Sequence, residues 1–546
     1  MKRMDISRDR LSTLYLTELS ELDAFSKARE GQFAVAVGPE DPDVRRLLEA
    51  MAFFSARTRA AAGGAVEASV RRLAAGTLDD LLVPCPAALM VQVLPDEQLV
   101  ETLRLPAGLP LQATTADGRV GIFTTDRALR VLPAITSGVE LNRGARQTYV
   151  TIRVEALRSL SEAVTLSFYV RRLDDYRASL ALFDALAANL VDAHVEADEV
   201  GELPCRVEWG ARPKRRMGPD SEAGEPGPLA GIRSFFQLPE QELFVHVSVP
   251  PVPGGWNRLT IRLELGENFP EEFAVSRDTF RLGVVPCKNC WSDFAQPIAC
   301  DGTLDAYPMR SAEALLSGVE LSEIRGVFRS GERGLVPIPP SALGQYGDSY
   351  ELCPASSGSE DQLRLDIEDA FERPCRVQVD ARWSQPELWS TAVGRIALAP
   401  RTRRLPGVAF RTVGPLHPAE QSLLARDPSR CLDVLALKVR PVLGRRDLIG
   451  MLEILGASGN SCYRGLALSI DELESAQVTD PERRAGGIRR VYRMALRCRQ
   501  PEEEPLLRRL AQQASILLDA WTEDAVDVEV STRRPVPGRV ALKESA

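Results

Sequence analysis

Residues 280–298 read FRLGVVPCKNCWSDFAQPI. An apolar run ends at Pro286, a Cys-Lys-Asn-Cys tetrapeptide follows, and an aromatic stretch closes on Ala-Gln-Pro-Ile. The tetrapeptide could be half a zinc site, a redox dithiol, or the end of a strand that happens to carry two thiols. A structural zinc site needs four thiolate or imidazole ligands in tetrahedral array, usually from two knuckles. Here Cys287 and Cys290 make one knuckle, and Cys300 stands ten residues on. The next candidates, His246 and Cys353, lie in no knuckle. A thioredoxin-type pair would open a helix after a buried strand, and Pro286 before it and Trp291-Ser292-Asp293 after it do not read as a helix start. The spacing favours two free thiols at a strand end, with no metal and no cofactor.

Outward from that stretch, the chain of 546 residues is long enough for three or four cores. It is 44% hydrophobic and 26% charged, ordinary for a folded globular protein. A net charge of -9 argues against a protein built to grip nucleic acid. No run of 18 or more uncharged apolar residues occurs, so no membrane-spanning helix is expected. The start, MKRMDISRDRLSTLYLTEL, lacks the apolar region of a secretory leader, and ten cysteines then fit a reducing cytoplasm.

Periodicity predicts an α+β, multidomain chain. The first region, 1–80, is helical. Leu11, Leu14, Tyr15, Leu19, Leu22 and Phe25 give one helix its apolar face. Asp41-Pro42 caps a second, in which Val44, Leu47, Leu48, Met51 and Phe54 recur at helical spacing. A break is expected at Gly63-Gly64. Residues 81–299 form a β-rich domain with strands at 88–95, 119–124, 147–155, 164–170, 203–209, 242–249 and 258–265. One helix, near 180–194, and an exposed loop, 211–231, interrupt it. Residues 300–410 make a middle β-rich region, with a polar stretch from Pro354 and RTRRLPG from Arg401. Residues 411–546 make a C-terminal α/β domain, with strands at 431–439 and 464–470, a long helix opened by Pro501 and three Glu, a strand VDVEVST and a frayed tail.

Catalytic signatures are missing. The chain has no GxxxxGK[ST], GxSxG or HExxH pattern, and no carboxylate pair is singled out by context.

The opening stretch resembles a motif of the TssF (ImpG/VasA) family of type VI secretion baseplate subunits, through Pro286, Asn289, Cys290, Trp291, Ala295, Pro297 and Ile298. Cys290 stands where that family usually has Leu, which implies a packed apolar position. DPDVRRLLEAMAFFSART, from Asp41, is similar to the family's signature helix at Asp41, Pro42, Val44, Arg46, Leu47, Leu48, Glu49, Ala52, Phe53, Ala56 and Arg57. Tyr15, Glu18 and Leu19 fit its opening helix, and LLVPCPAALMVQV and RGLALSIDE fit later segments. The chain departs from the pattern in a shorter stretch between Glu18 and Asp41, and residues 300–410 match in outline only.

The resemblance implies a divergent wedge component of a contractile injection machine rather than an enzyme. It implies a TssG-like partner that takes two copies of this chain, further contacts with TssK, TssE and the VgrG spike, and a cytoplasmic baseplate at the inner face of the envelope. The implied motif and assembly residues are Asp41, Pro42, Val44, Leu47, Leu48, Met51, Phe53, Asn289, Trp291 and Pro297. The competing classes are a carbohydrate-active enzyme on a β scaffold, which would need a cleft with paired carboxylates, and a zinc-dependent binding module.

Overall fold

The computed structural model describes residues 6–28, 41–74, 78–144, 147–198, 200–211, 227–331, 334–341, 347–353, 360–390, 395–401, 404–427, 429–479, 488–522 and 525–533. Most of the expected 211–231 loop, the polar stretch from Pro354, part of RTRRLPG and the C-terminal tail lie outside these residues.

Two antiparallel sheets make the largest core. One runs in the order Gly201–Leu203, Leu190–Ala197, Trp256–Leu265, Thr148–Leu160, Ala134–Arg143. The other runs Arg206–Trp209, Phe244–Val249, Val164–Val170, Phe280–Arg281. Alternation dictates what each strand buries. In Trp256–Leu265, Leu259, Ile261, Leu263 and Leu265 point inward, while Arg258 and Arg262 are exposed. They meet Leu166, Phe168, Val245 and Val247 of the second sheet in one apolar cluster. Expected strands at 88–95, 119–124, 147–155, 164–170, 242–249 and 258–265 all form, within a few residues of their expected ends. The inserted helix spans Tyr176–Asn189, and its expected last turn becomes the strand Leu190–Ala197 instead. The N-terminal side of this helix is capped by Asp175, whose carboxylate accepts from Ala178 N at 3.0 Å.

Beside the sandwich, six strands close a barrel: Ala88–Pro95, Val284–Lys288, Val120–Thr125, Pro110–Thr114, Ala397–Pro400 and Val408–His417. Leu89, Val91, Leu111, Phe123, Val285 and Cys287 fill it, joined by Leu388 and Trp389 from the short helix Pro386–Ser390. Between two of its strands, Val284–Lys288 and Ala397–Pro400, the chain leaves to build a middle module. Its main sheet runs Trp291–Phe294, Cys375–Ser384, Glu320–Gly331, Gly334–Ile338, with Ile298–Cys300 also paired to the second of these. A smaller sheet, Tyr307–Pro308, Gln362–Asp366, Ser349–Cys353, completes it, around a core that includes Trp291, Tyr307, Leu363, Val379 and Trp383.

The C-terminal region differs from expectation in two places. CLDVLALKV lies in the helix Ser429–Lys438, not a strand: Cys431 and Val434 are buried at i and i+3, a spacing a strand would place on opposite faces. Most of RGLALSI is a 3₁₀ turn, Leu466–Ser469, with the strand Ile470–Thr479 starting only at its end. That strand pairs with Ile488–Arg497, which the sequence reading missed, and a parallel Ala525–Arg533 follows through the helix Glu504–Trp521. Leu507, Leu510, Ala514, Leu517, Leu518 and Trp521 of that helix are buried as the periodicity predicts. Arg509 ties it to the sandwich by donating to Asp184 at 3.0 Å. A further helix, Pro228–Gln237, starts inside the stretch expected to be loop.

Two helices precede all of this, α1 (Ile6–Ala28) and α2 (Pro42–Ala74). α2 runs through Gly63-Gly64 without the expected break. Its 33 residues reach about 50 Å at helical rise.

Candidate functional site

The family-motif residues fall in two places, a helical arm and a junction. On the arm, Asp41 begins α2: its side chain accepts from Asp43 N and its carbonyl from Arg45 N, both at 2.9 Å. Pro42 follows, exposed, at a position where a missing N–H costs nothing. Val44 and Leu48 are half-buried and continue at i+4 into Ala52 and Ala56, which are fully buried. These small side chains let α1 approach closely. One polar contact fixes the pair: Ser55 donates to Glu18 at 2.6 Å, and Arg59 forms an ion pair with the same carboxylate. The Ser55 hydroxyl and the Arg59 guanidinium hold Glu18 below the usual carboxylate range.

Another face of α2 turns to water. Leu47 is 65% exposed, Met51 58% and Phe54 67%, at i, i+4 and i+7. Phe53 is exposed too, with the Arg57 guanidinium over its ring. Leu16 and Phe25 of α1 are also open. The apolar face expected from the sequence therefore divides, with Val44 and Leu48 on the inner side and Leu47 and Met51 on the outer. The C-terminal end of α2 enters the body, where Val70 and Ala74 join the large core. There Arg72 donates twice to Glu351 of the middle module, at 2.8 Å each, and Arg364 adds a third contact at 3.3 Å. Arg72 holds the Glu351 carboxyl below its usual range.

At the junction the chain crosses from barrel to middle module, and Asn289 sits on the crossing with no exposure. Its Nδ2 donates to the Ile122 carbonyl at 2.6 Å, its Oδ1 accepts from Gln385 N at 2.6 Å, and its own N–H donates to Ala87 O at 2.7 Å. Gln385, equally buried, lies on the return crossing. Its Oε1 accepts from Ile122 N at 3.2 Å and its Nε2 donates to Ser317 O at 3.0 Å. Two side-chain amides thus lock both crossings to one barrel strand. Two glycines permit the close approach. A Cβ on Gly121 would lie 2.5 Å from the Trp389 ring, and one on Gly283, whose φ is +70°, would lie 2.4 Å from the Val93 carbonyl. Trp291 packs beside Trp383, its cross-strand partner, while Pro297 is exposed. Sequence reading found Asn289 and missed Gln385, whose only local trace is a polar residue just before Pro386.

The two thiols of the tetrapeptide belong to different surroundings. Cys287 lies in the barrel interior; Cys290 lies beside Ser322 and Arg382 of the middle sheet. Burial pushes the Cys287 thiol well up and that of Cys290 up to about 11. Among the described residues no three His, Cys, Asp or Glu side chains converge as a metal site would require. Two of the three histidines are structural in geometry. His246 is buried between Ser167 Oγ at 2.8 Å and the Gly210 carbonyl at 2.9 Å, and His417 meets Glu240 at 3.1 Å.

Two open clefts stand out. One, of about 730 Å³, lies on the outer face of the five-stranded sheet, where Arg153 pairs with Glu140 and His194 with Glu202. The other, of about 690 Å³, lies at the junction, bordered by Lys288, Trp291, Glu323 and Arg382. The ion pairs Lys288–Asp126 at 2.9 Å and Arg382–Glu323 at 2.9 Å already occupy its charged groups. Among the described residues no helix is long and apolar enough to cross a membrane.

This arrangement, several β modules locked to each other and a projecting helical pair, is a scaffold's. Two solved structures share it. One is a type VI secretion TssK-TssF-TssG baseplate subcomplex seen by cryo-electron microscopy, 16% identical, with a TM-score of 0.70 over 90% of this chain and 96% of that one. The other is the baseplate complex from the type VI secretion system, 15% identical, with a TM-score of 0.58 over 96% of each chain. No curated protein sequence matches the chain. The family model for the type VI secretion system protein TssF matches residues 31–349, more than half of the chain. The chain belongs to the TssF family and is a structural component of a type VI secretion baseplate.

Proposed function

We propose that this chain is a wedge subunit that binds a TssG-like partner through the outer face of its helical arm, two copies to one partner. The observation that carries the reading is the row Leu47, Met51 and Phe54, large apolar side chains left in water on a helix whose C-terminal end joins the body. Clustered exposed apolar groups of this kind are what interfaces cover. Arg45, Arg46 and Arg57 along the same helix supply a polar rim. The solved relative that shares the fold comes from an assembly with TssG and TssK, which supports those proteins as partners here. TssE and the VgrG spike complete the expected neighbourhood, in a cytoplasmic baseplate docked against the envelope. The chain works by holding shape, without catalysis.

Co-expression with the TssG-like protein of the same system, followed by native mass spectrometry, tests this. The expected complex holds two copies of this chain and one partner. The triple substitution Leu47→Ser, Met51→Ser, Phe54→Ser is expected to abolish it while leaving the melting curve in place. A monomer that ignores the partner would overturn the wedge reading. A complex that survives the triple substitution would overturn the arm as its contact.

A further inference from the structure

Strand Ile298–Cys300 lies antiparallel to Cys375–Ser384, and the register sets Cys300 directly opposite Cys375. Antiparallel partners are about 4.5 or 5.5 Å apart at Cα, inside the roughly 4.4–6.8 Å span that a disulfide bridges. Directly opposed residues of an antiparallel pair project to the same face of the sheet, so the two side chains are neighbours. Cys300 is 1% exposed, whereas Cys375 is half-buried and reachable from solvent. One thiol of the pair can meet an oxidant and the other waits beside it. The two also mark the neck of the middle module. Between them run the strands Tyr307–Pro308, Glu320–Gly331, Gly334–Ile338, Ser349–Cys353 and Gln362–Asp366.

We propose that Cys300 and Cys375 form a reversible dithiol that a peroxide converts into a cross-strand disulfide closing the middle module at its neck. The Cys375 thiolate attacks one peroxide oxygen: an S–O bond forms, the O–O bond breaks, and the departing hydroxide takes a proton to become water. Sγ of Cys300 then attacks the sulfenic sulfur and gives up its proton. The S–S bond forms, the S–O bond breaks, and a second water leaves. Two thiols lose two electrons and two protons, and one peroxide becomes two waters. Burial and the neighbouring thiol raise Cys375 above the ordinary thiol range, and only its thiolate fraction attacks the peroxide. This inference stands apart from the assembly reading, because it needs no partner.

The test is to treat the purified full chain with hydrogen peroxide, block the remaining thiols, digest without reductant and map the peptides by mass spectrometry. The expected product is a peptide pair joining Cys300 to Cys375, lighter by two hydrogens and released by dithiothreitol. The oxidised chain should also resist native-state proteolysis within residues 301–374 at least roughly tenfold longer than the reduced one, because the link restrains the unfolded module. Cys375→Ser, at a half-buried position, should fold normally and lose both the link and the protection. Cys300→Ala should do the same, so a folding failure in one variant leaves the other. Cys375 over-oxidised with Cys300 still a free thiol would overturn the proposal. So would Cys375 linked to another cysteine, or no link after prolonged exposure.

Discussion

On α2, Leu47, Met51 and Phe54 hold more than half their surface in water, whereas at the junction Asn289 has none exposed and Trp291 only 6%. Both segments carry residues of the family resemblance. They use their residues in opposite ways. The arm buries two small side chains, Ala52 and Ala56, and leaves the large Leu47, Met51 and Phe54 exposed. The junction buries a polar amide that a core would ordinarily exclude, and gives both its nitrogen and its oxygen a partner. The helix thus presents a surface, and the crossing makes a fastening.

Substitutions should separate the two uses, and the junction should show the larger losses of stability. Asn289→Leu leaves the Gln385 N–H and the Ile122 carbonyl buried without their partner. It should cost about 3 kcal/mol and lower the melting temperature of the purified chain. A melt unchanged by this substitution would remove the fastening from the comparison. Gly121→Ala drives a methyl against the Trp389 ring and should cost about 2 kcal/mol, read in the same way.

At the root of the arm, Arg72→Ala should cost about 1 kcal/mol, since the pair with Glu351 is only partly buried. That loss has a pH signature. The Glu351 carboxyl is held low in the folded chain, so its contribution is complete above the ordinary glutamate value of about 4.3 and fades as pH falls through the folded value. The melting difference between Arg72→Ala and the parent should therefore be full near neutrality and vanish in acid. A difference that persists in acid would assign the effect to lost packing of the Arg stem. The smallest effect on stability belongs to the outer face. Met51→Ser alone should stay within about 0.5 kcal/mol of the parent, and a larger drop would mean that this face is core.

The N-terminal helices were legible because Asp41-Pro42 announces a start and the apolar spacing is regular. The sandwich strands were legible because their alternation is local. What escaped was either ambiguous in period or distant in sequence. CLDVLALKV is apolar enough to suit a strand or a helix, and its surroundings chose the helix. Gly63-Gly64 looked like a break, yet the helical residues on both sides carry the chain through it. Gln385 could not be tied to Asn289 from sequence, because its partner lies 96 residues earlier. Which part of the α2 face turns outward was likewise undecided until α1 took one side of it.

The barrel also sets the order in which this protein can be made. Ala88–Pro95 pairs on one side with Val284–Lys288 and on the other with Val408–His417. A ribosome adding roughly 10 residues per second would finish the last of these about half a minute after the first. Until then the earliest strand lacks at least one neighbour, and its apolar residues Leu89, Val91 and Val93 stay open to misplaced pairing. A nascent chain stalled before residue 400 would carry a barrel that cannot close, whatever the state of its sandwich. Closure of the barrel therefore waits on the last quarter of the chain.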